Sequence, residues 1–356
     1  VDFLIARDDL HRCRSVEADP PEPADGQALL SVASFGLTAN NITYATFGET
    51  MSYWSFFPAE DGWGRMPVWG FAEVTASRHE QLAEGARVYG YLPPSSELLV
   101  TPARGGEHGF IDASPHRAQL PGAYNSYLLS DADPLYDVEY EDQQMLLRPL
   151  FFTSYLIDDF LHDSGFFGAS SVVLSSASSK TASALAFQLR AREATEVVGL
   201  TSSRSVEFAR GLEVYDHVLA YEELDSLPRD PSVYVDMAGD GELRLAVHRH
   251  LGGDLRHSAV VGATHHDRLG ALAEELPGPK PMFFFAPDRV SKRTSDWGAE
   301  GLQSRLLEAW RPYVAWTAGW LEVIHGRGAE ALEDSYLALL DGRVDPRTAH
   351  VLSLAS

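Results

Sequence analysis

Between Ser171 and Arg204 two apolar, β-branched runs flank an alanine-rich one, in the order SVVLSSASSKTASALAFQLRAREATEVVGLTSSR. The pattern predicts a strand over Ser171–Leu174, a helix over Lys180–Arg190 and a second strand over Glu196–Leu200. With the small-residue turn Ser175–Ser179, these make a βαβ unit of the length found in half of a dinucleotide-binding fold. Apolar runs at Val218, Val233–Asp236, Ala259–Gly262 and Met282–Phe285 continue the alternation, which implies a parallel sheet covered by helices. The earlier chain reads as β-rich. Ala28–Ser34, Val68–Ala76, Arg87–Tyr91 and Leu98–Thr101 are candidate strands split by Gly, Pro and polar turns, with Ala123–Leu129 a further one. From Gln143 the spacing of Leu150, Phe151, Tyr155, Leu156 and Phe160 is helical. Helices are also predicted at Gly298–Trp310 and Ala329–Leu340, before a short apolar end at His350–Leu354. The expected class is α/β, with a doubly wound central domain.

The turn carries the first candidate chemistry. A phosphate at the N-terminus of the Lys180 helix would meet unpaired N–H groups and the positive end of the dipole. Ser176, Ser178, Ser179, Lys180 and Thr181 would add hydroxyls and charge. The G-x-G-x-x-G fingerprint is missing, since no glycine lies between Gly168 and Gly199, so serines and Ala177 must make the tight turn. A scaffold turn without a ligand is the alternative. Ser-Lys-Thr lacks the Gly-flanked spacer of an ATP-binding P-loop. At the end of the second strand stand Thr201, Ser202, Ser203 and Arg204, with no acid until Glu207. An acid there selects the ribose 2′-hydroxyl of NAD, whereas hydroxyls and an arginine fork suit a 2′-phosphate. NADP(H) is therefore the expected cofactor. Alternatively, Ser203 only caps a helix over Arg204–Gly211.

Composition narrows the function classes. At 356 residues, two domains or one large one are expected. A net charge of −23 repels phosphate backbones and anionic lipid, which argues against nucleic-acid and membrane partners. No run of about 18 apolar residues suggests a membrane span. The opening VDFLIARDDLHRCR lacks a signal-peptide core, and one cysteine, Cys13, allows neither an internal disulfide nor a Cys-based zinc site. A cytoplasmic protein is expected. His79, His108, His116 and the pair His265–His266 form no HxxxH or HExxH pattern, and no G-x-S-x-G elbow suggests a hydrolase.

Particular segments then matter. SVASFGLTANNITYATFG (31–48), MPVWGFAEV (66–74), GARVYGYL (85–92), LRPLFFTSYLIDDFL (147–161), SVYVDMAG (232–239) and AVVGATHH (259–266) follow one another in an order that resembles the medium-chain dehydrogenase/reductase superfamily. The nearest branch is that of zinc-free quinone oxidoreductases and enoyl reductases. The altered SSASSKTA, LTANNITYATFG and YWSFFP segments resemble a subfamily known only as a domain of unknown function. The resemblance implies a GroES-like catalytic domain, residues 1–146 plus 291–356, clamping NADP(H) against a Rossmann domain at 147–290. It implies a metal-free reductase of an activated alkene, quinone or ketone. It also implies contacts from Tyr221 to the 2′-phosphate and from Gly262 to the cofactor, and a homodimer joined edge to edge through Met282–Phe285. Hydride delivery without a metal needs a donor on the oxygen that gains charge. The matching positions are Asn40, Asn41 and Tyr44, with Tyr53 as a further phenol; both asparagines could instead brace a turn. Tyr53–Pro58, Trp63 and Trp69 form an aromatic stretch suited to an apolar, flat small-molecule substrate, or to a core. Phe283–Phe285 reads as a buried strand. A dinucleotide-binding sensor or structural protein without catalysis is the rival reading.

Overall fold

A computed structural model describes residues 1–17, 19–261 and 276–354, which fall into two compact units. Gly262, His265 and His266 lie outside the described residues. Among the described residues no helix is long and apolar enough to cross a membrane.

The first unit comprises Val1–Leu146 and Leu321–Ser356. It opens with a hairpin the hydropathy pattern did not suggest, β1 (Asp2–Ala6) and β2 (Cys13–Val16), and β1 also pairs with β4 (Trp63–Gly64). The larger sheet is built on β3 (Ala28–Leu37), which pairs antiparallel with β5 (Val68–Ser77) and β7 (Glu97–Val100). β6 (Arg87–Leu92) continues it next to β5 and is buried from Val88 onward. Beyond β6 come β10 (Ser126–Leu129), β9 (Gly109–Asp112) and β8 (Pro102–Gly106). Only the second half of the predicted Ala123–Leu129 run is extended, because Gly122–Asn125 turns as a 3-10 segment. Under this sheet Arg117 and Asp112 pair at 3.0 Å with almost no exposure, and Arg117 lies 4.6 Å over the Phe57 ring. Such a charge is tolerable inside because it is paired and hydrogen-bonded, here also to the Tyr127 hydroxyl at 3.1 Å.

The second unit, Leu147–Trp320, holds a six-stranded parallel sheet. Its strands are β11 (Ser171–Leu174), β12 (Glu196–Thr201), β13 (His217–Ala220), β14 (Ser232–Asp236), β15 (Leu255–Val260) and β16 (Met282–Phe283). The order β13-β12-β11-β14-β15-β16 reverses direction between β11 and β14, the crevice at which doubly wound sheets bind ligands. On β11 Val172 and Leu174 enter one core cluster and Val173 the other, so both faces are covered. Phe283–Phe285 is not a buried strand. β16 is two residues long at the sheet edge, and Met282, Phe283 and Phe285 are exposed while Phe284 packs against the core.

The boundary of this unit also differs from expectation. Residues 291–320 fall in the second unit, because the helix Ala286–Thr317 is tied to α2 (Glu141–Asp163). Arg289 and Arg293 both bind Asp159, and reach Asp163 at 2.9 and 3.1 Å. Hydrogen bonds from Arg289, and then from Arg293, hold the Asp163 carboxyl at about 2. Further along, Phe151 stacks on Tyr313 at 4.7 Å. The chain then returns to the first unit through β17 (Glu322–Arg327), the helix Gly328–Leu340 and β18 (Thr348–Ser353), which pairs with β3.

Candidate functional site

In the second unit the candidate residues gather at the β11 turn. α3 (Lys180–Arg192) starts where the sequence places it, with Ser179 as N-cap accepting from the Ala182 N–H at 3.2 Å. Ser176 has φ +53°, a left-handed conformation that glycine adopts without strain and that costs other residues about 1–2 kcal/mol. The Ser176 N–H donates to the Tyr221 hydroxyl at 3.2 Å, so Tyr221 reaches the turn itself. Thr201 donates to the Ser178 hydroxyl at 3.2 Å, tying the turn to the next strand. Two backbone N–H groups of the turn, those of Ser178 and Thr181, have no partner among the described residues. They are the orphan donors expected at a helix start, available to an anion. Lys180 lies half-buried at the first helical position.

The missing turn glycine has a physical substitute. Gly199 on β12 faces Ala177, and a Cβ at Gly199 would stand 2.8 Å from the Ala177 Cβ and 3.0 Å from the Tyr215 ring. The Tyr215 hydroxyl in turn donates to the Ala177 carbonyl at 2.7 Å. Room that a glycine in the turn would provide comes from the neighbouring strand.

Ser203 and Arg204 lie exposed in a 3-10 turn after β12, and Arg204 has no ion-pair partner among the described residues. Ser203 does not cap a helix. The following helix, α4, spans Val206–Gly211, and the Ser203 hydroxyl donates instead to Glu222 at 2.8 Å. The expected absence of an acid beside Ser203 and Arg204 therefore does not hold. Thr201 pairs with Ala220 between parallel β12 and β13, so residues two further along each strand, Ser203 and Glu222, come side by side. At the switch point itself, Ser175 accepts from the Met237 and Ala238 N–H groups at 2.9 and 3.0 Å and donates to buried Asp236, which Arg244 neutralises at 2.8 Å.

In the first unit α1 (Ala39–Thr46) carries the other candidates. Asn41 is a brace. Its carbonyl accepts from the Thr38 N–H at 2.8 Å and its amide donates to the Pro67 carbonyl at 3.0 Å. Tyr44 and Tyr53 are buried with rings 4.7 Å apart. Tyr91 and Tyr124 complete the cluster at 5.6 Å from Tyr44 and 6.2 Å from Tyr53, their own rings 4.8 Å apart. Trp69 donates its indole N–H to the Tyr44 oxygen at 3.3 Å. Burial, then the neighbouring Tyr124, raises the Tyr44 phenol above its ordinary value against the pull of Trp69 and Asn40. Burial likewise pushes Tyr53 up to about 12. Tyr91 is buried and its hydroxyl has no partner among the described residues. These phenols stay neutral at physiological pH, each with its O–H proton in place. Sequence reasoning missed Tyr91 and Tyr124; alternation along β6 could have suggested the first, and no local signal marks the second.

A family described only as a protein of unknown function, DUF2855, matches residues 35–345. The chain belongs to the DUF2855 family. No curated protein matches this DUF2855 chain. Solved structures do. CurA of Vibrio vulnificus in complex with NADPH is 14% identical, covering 100% of this chain and 99% of its own, with a TM-score of 0.58. The quinone oxidoreductase of Coxiella burnetii is 14% identical, with 99% of each chain covered and a TM-score of 0.55. The yhdH oxidoreductase of Salmonella enterica with NADP is 13% identical, covering 97% and 95%, with a TM-score of 0.54. The DUF2855 chain thus has the fold of the medium-chain dehydrogenase/reductases, a GroES-like part with a Rossmann part.

Among the described residues no three His, Cys, Asp or Glu side chains group to hold an ion. His79 accepts from the Gln81 N–H, while His108 and His116 each approach one backbone carbonyl, of Ala132 and of Phe56. Burial, with Glu333 nearby, pushes the Cys13 thiol up to about 11, so it stays protonated.

Proposed function

We propose that the DUF2855 chain is an NADP(H)-dependent, metal-free reductase of an activated alkene, quinone or ketone. The observation that carries this reading is the β11 turn at the sheet's switch point, where the Ser178 and Thr181 N–H groups, and an arginine after the next strand, have no partner among the described residues. These donors fit a pyrophosphate and a 2′-phosphate. Cofactor contacts are assigned to Ser176, Ser178, Ser179, Lys180, Thr181, Thr201, Ser203, Arg204 and Tyr221. NADPH and NADP in the CurA and yhdH structures support the choice of cofactor.

When bound, NADPH supplies a hydride. What this chain's residues must then provide is a proton or hydrogen bond for the substrate oxygen. Tyr44 is suited to it. Its oxygen already accepts from Trp69, which leaves its own O–H to donate, and burial keeps that proton in place. Tyr53 is the second phenol of the pair. Asn41, spent on Thr38 and Pro67, positions α1 rather than a substrate. The aromatic walls around the phenols suit an apolar, flat small molecule. A homodimer through the exposed β16 edge completes the reading, since an uncovered strand edge invites pairing. NADPH titration followed by an enone and quinone panel tests it. Oxidation of NADPH with at least one panel member is expected, and binding without turnover would give the sensor reading the lead.

A further inference from the structure

Glu222 stands beside the residues assigned to the 2′ position, and its placement has a functional reading of its own. Register sets it there: Thr201 faces Ala220, and Ser203 binds Glu222 at 2.8 Å two residues beyond that pair. The carboxylate is exposed and has no cationic partner among the described residues. Arg204, next to Ser203, is exposed and has none either. The two opposite charges flank Ser203 without forming an ion pair with each other. Whatever ribose substituent approaches Ser203 therefore meets a free guanidinium and a free carboxylate together.

We propose that Glu222 is a specificity-determining residue that accepts a hydrogen bond from a ribose 2′-hydroxyl and opposes a 2′-phosphate, so that the site takes NADH alongside NADPH. A hydroxyl can donate to the carboxylate, as at the acid-bearing sites of NAD-selective folds. A phosphate cannot donate in its ionised form, and gains from Arg204 what it partly loses to Glu222. The hydrogen bond from Ser203 lowers the Glu222 carboxyl below its ordinary value, which keeps the opposing charge present at neutral pH. Preference for NADPH is then narrow, and a single exposed side chain sets its width.

This inference rests on the cofactor reading above, and titration of the full chain with NADPH and with NADH separates the two. Glu222→Gln keeps a hydrogen-bond partner for Ser203 while removing the charge. The variant should bind NADPH about tenfold more tightly, the effect of relieving one close like charge, and bind NADH no better than the native chain. If both cofactors bind the native chain but Glu222→Gln leaves their affinity ratio unchanged, the role of Glu222 is overturned and the cofactor reading stands. Failure of both dinucleotides to bind the native chain overturns both.

Discussion

The turn after β11 and the tyrosine cluster around Tyr44 are both hydrogen-bonding sites, yet they are built on opposite terms. The turn offers small side chains and backbone N–H groups, and the 3-10 segment after β12 adds an arginine with no ion-pair partner among the described residues, in a partly exposed place. The cluster offers large rings and neutral hydroxyls in a buried one, with Tyr44, Tyr53 and Tyr91 all under a tenth exposed. A fixed anion is best met by donors that are always charged or always present. An oxygen that becomes charged only during reaction is best met by a donor that burial keeps protonated and water cannot replace. On the function proposed above, recognition falls to one region and chemistry to the other.

Four experiments can break that division. The largest effect is expected from Tyr44→Phe, which should lower turnover about 10²–10³-fold, the usual range for one oxyanion donor, and leave NADPH affinity nearly unchanged. Unimpaired turnover would remove Tyr44 from the chemistry and leave Tyr53 to be tested. Arg204→Glu should do the reverse, weakening NADPH by about 1–3 kcal/mol, the scale of a charge-assisted contact, with kcat retained at saturation. Comparable losses of kcat in both variants would erase the contrast.

Alkali should act on the buried phenols and on the Cys13 thiol, whose value folding also raises. Folding raises the Tyr53 value from 10.0 to about 12, so its contribution to stability is complete below 10. That contribution should be lost as pH climbs through about 12, because the unfolded chain ionises first. Circular dichroism against pH should show unfolding setting in above 10 rather than in the neutral range, and Tyr53→Phe should move that onset upward. The smallest effect is expected from exhaustive chelation, which should change neither NADPH affinity nor turnover. Stoichiometric zinc in protein purified without a metal-affinity tag would contradict the reading.

What the sequence revealed depended on how local each feature's cause is. The β11–α3–β12 unit was legible because strands buried on both faces and an alanine-rich helix leave contiguous signatures, and their observed bounds differ by at most two residues. The hairpin β1–β2 was not, since each strand is short and β1 takes a second partner from the distant β4. Phe283–Phe285 misled, because apolarity alone cannot tell a central strand from an exposed edge. At the candidate site, Ser203 and Arg204 could be read from their place after β12. Glu222 could not, because its approach is created by the pairing of parallel strands 19 residues apart at that point. Asn41 had two possible uses, and only the positions of Thr38 and Pro67 decide between them.

The clearance between Ala177 and Gly199 has a bearing on how such sites vary. Two backbones can approach when either one lacks a side chain, so the space belongs to the pair and not to one position. Ala177 is permitted by the glycine opposite, and Gly199→Ala should destabilise the fold by about 1–3 kcal/mol through overpacking. Ala177→Gly in the same molecule should restore part of that loss, because the 2.8 Å clash is then vacated from the other side while the 3.0 Å approach to the Tyr215 ring remains. Such exchange would let a lineage drift from a glycine-bearing turn to a glycine-free one without passing through an unstable chain. A fingerprint confined to the turn would lose sight of the site at the first step, while one that spans turn and neighbouring strand would follow it throughout.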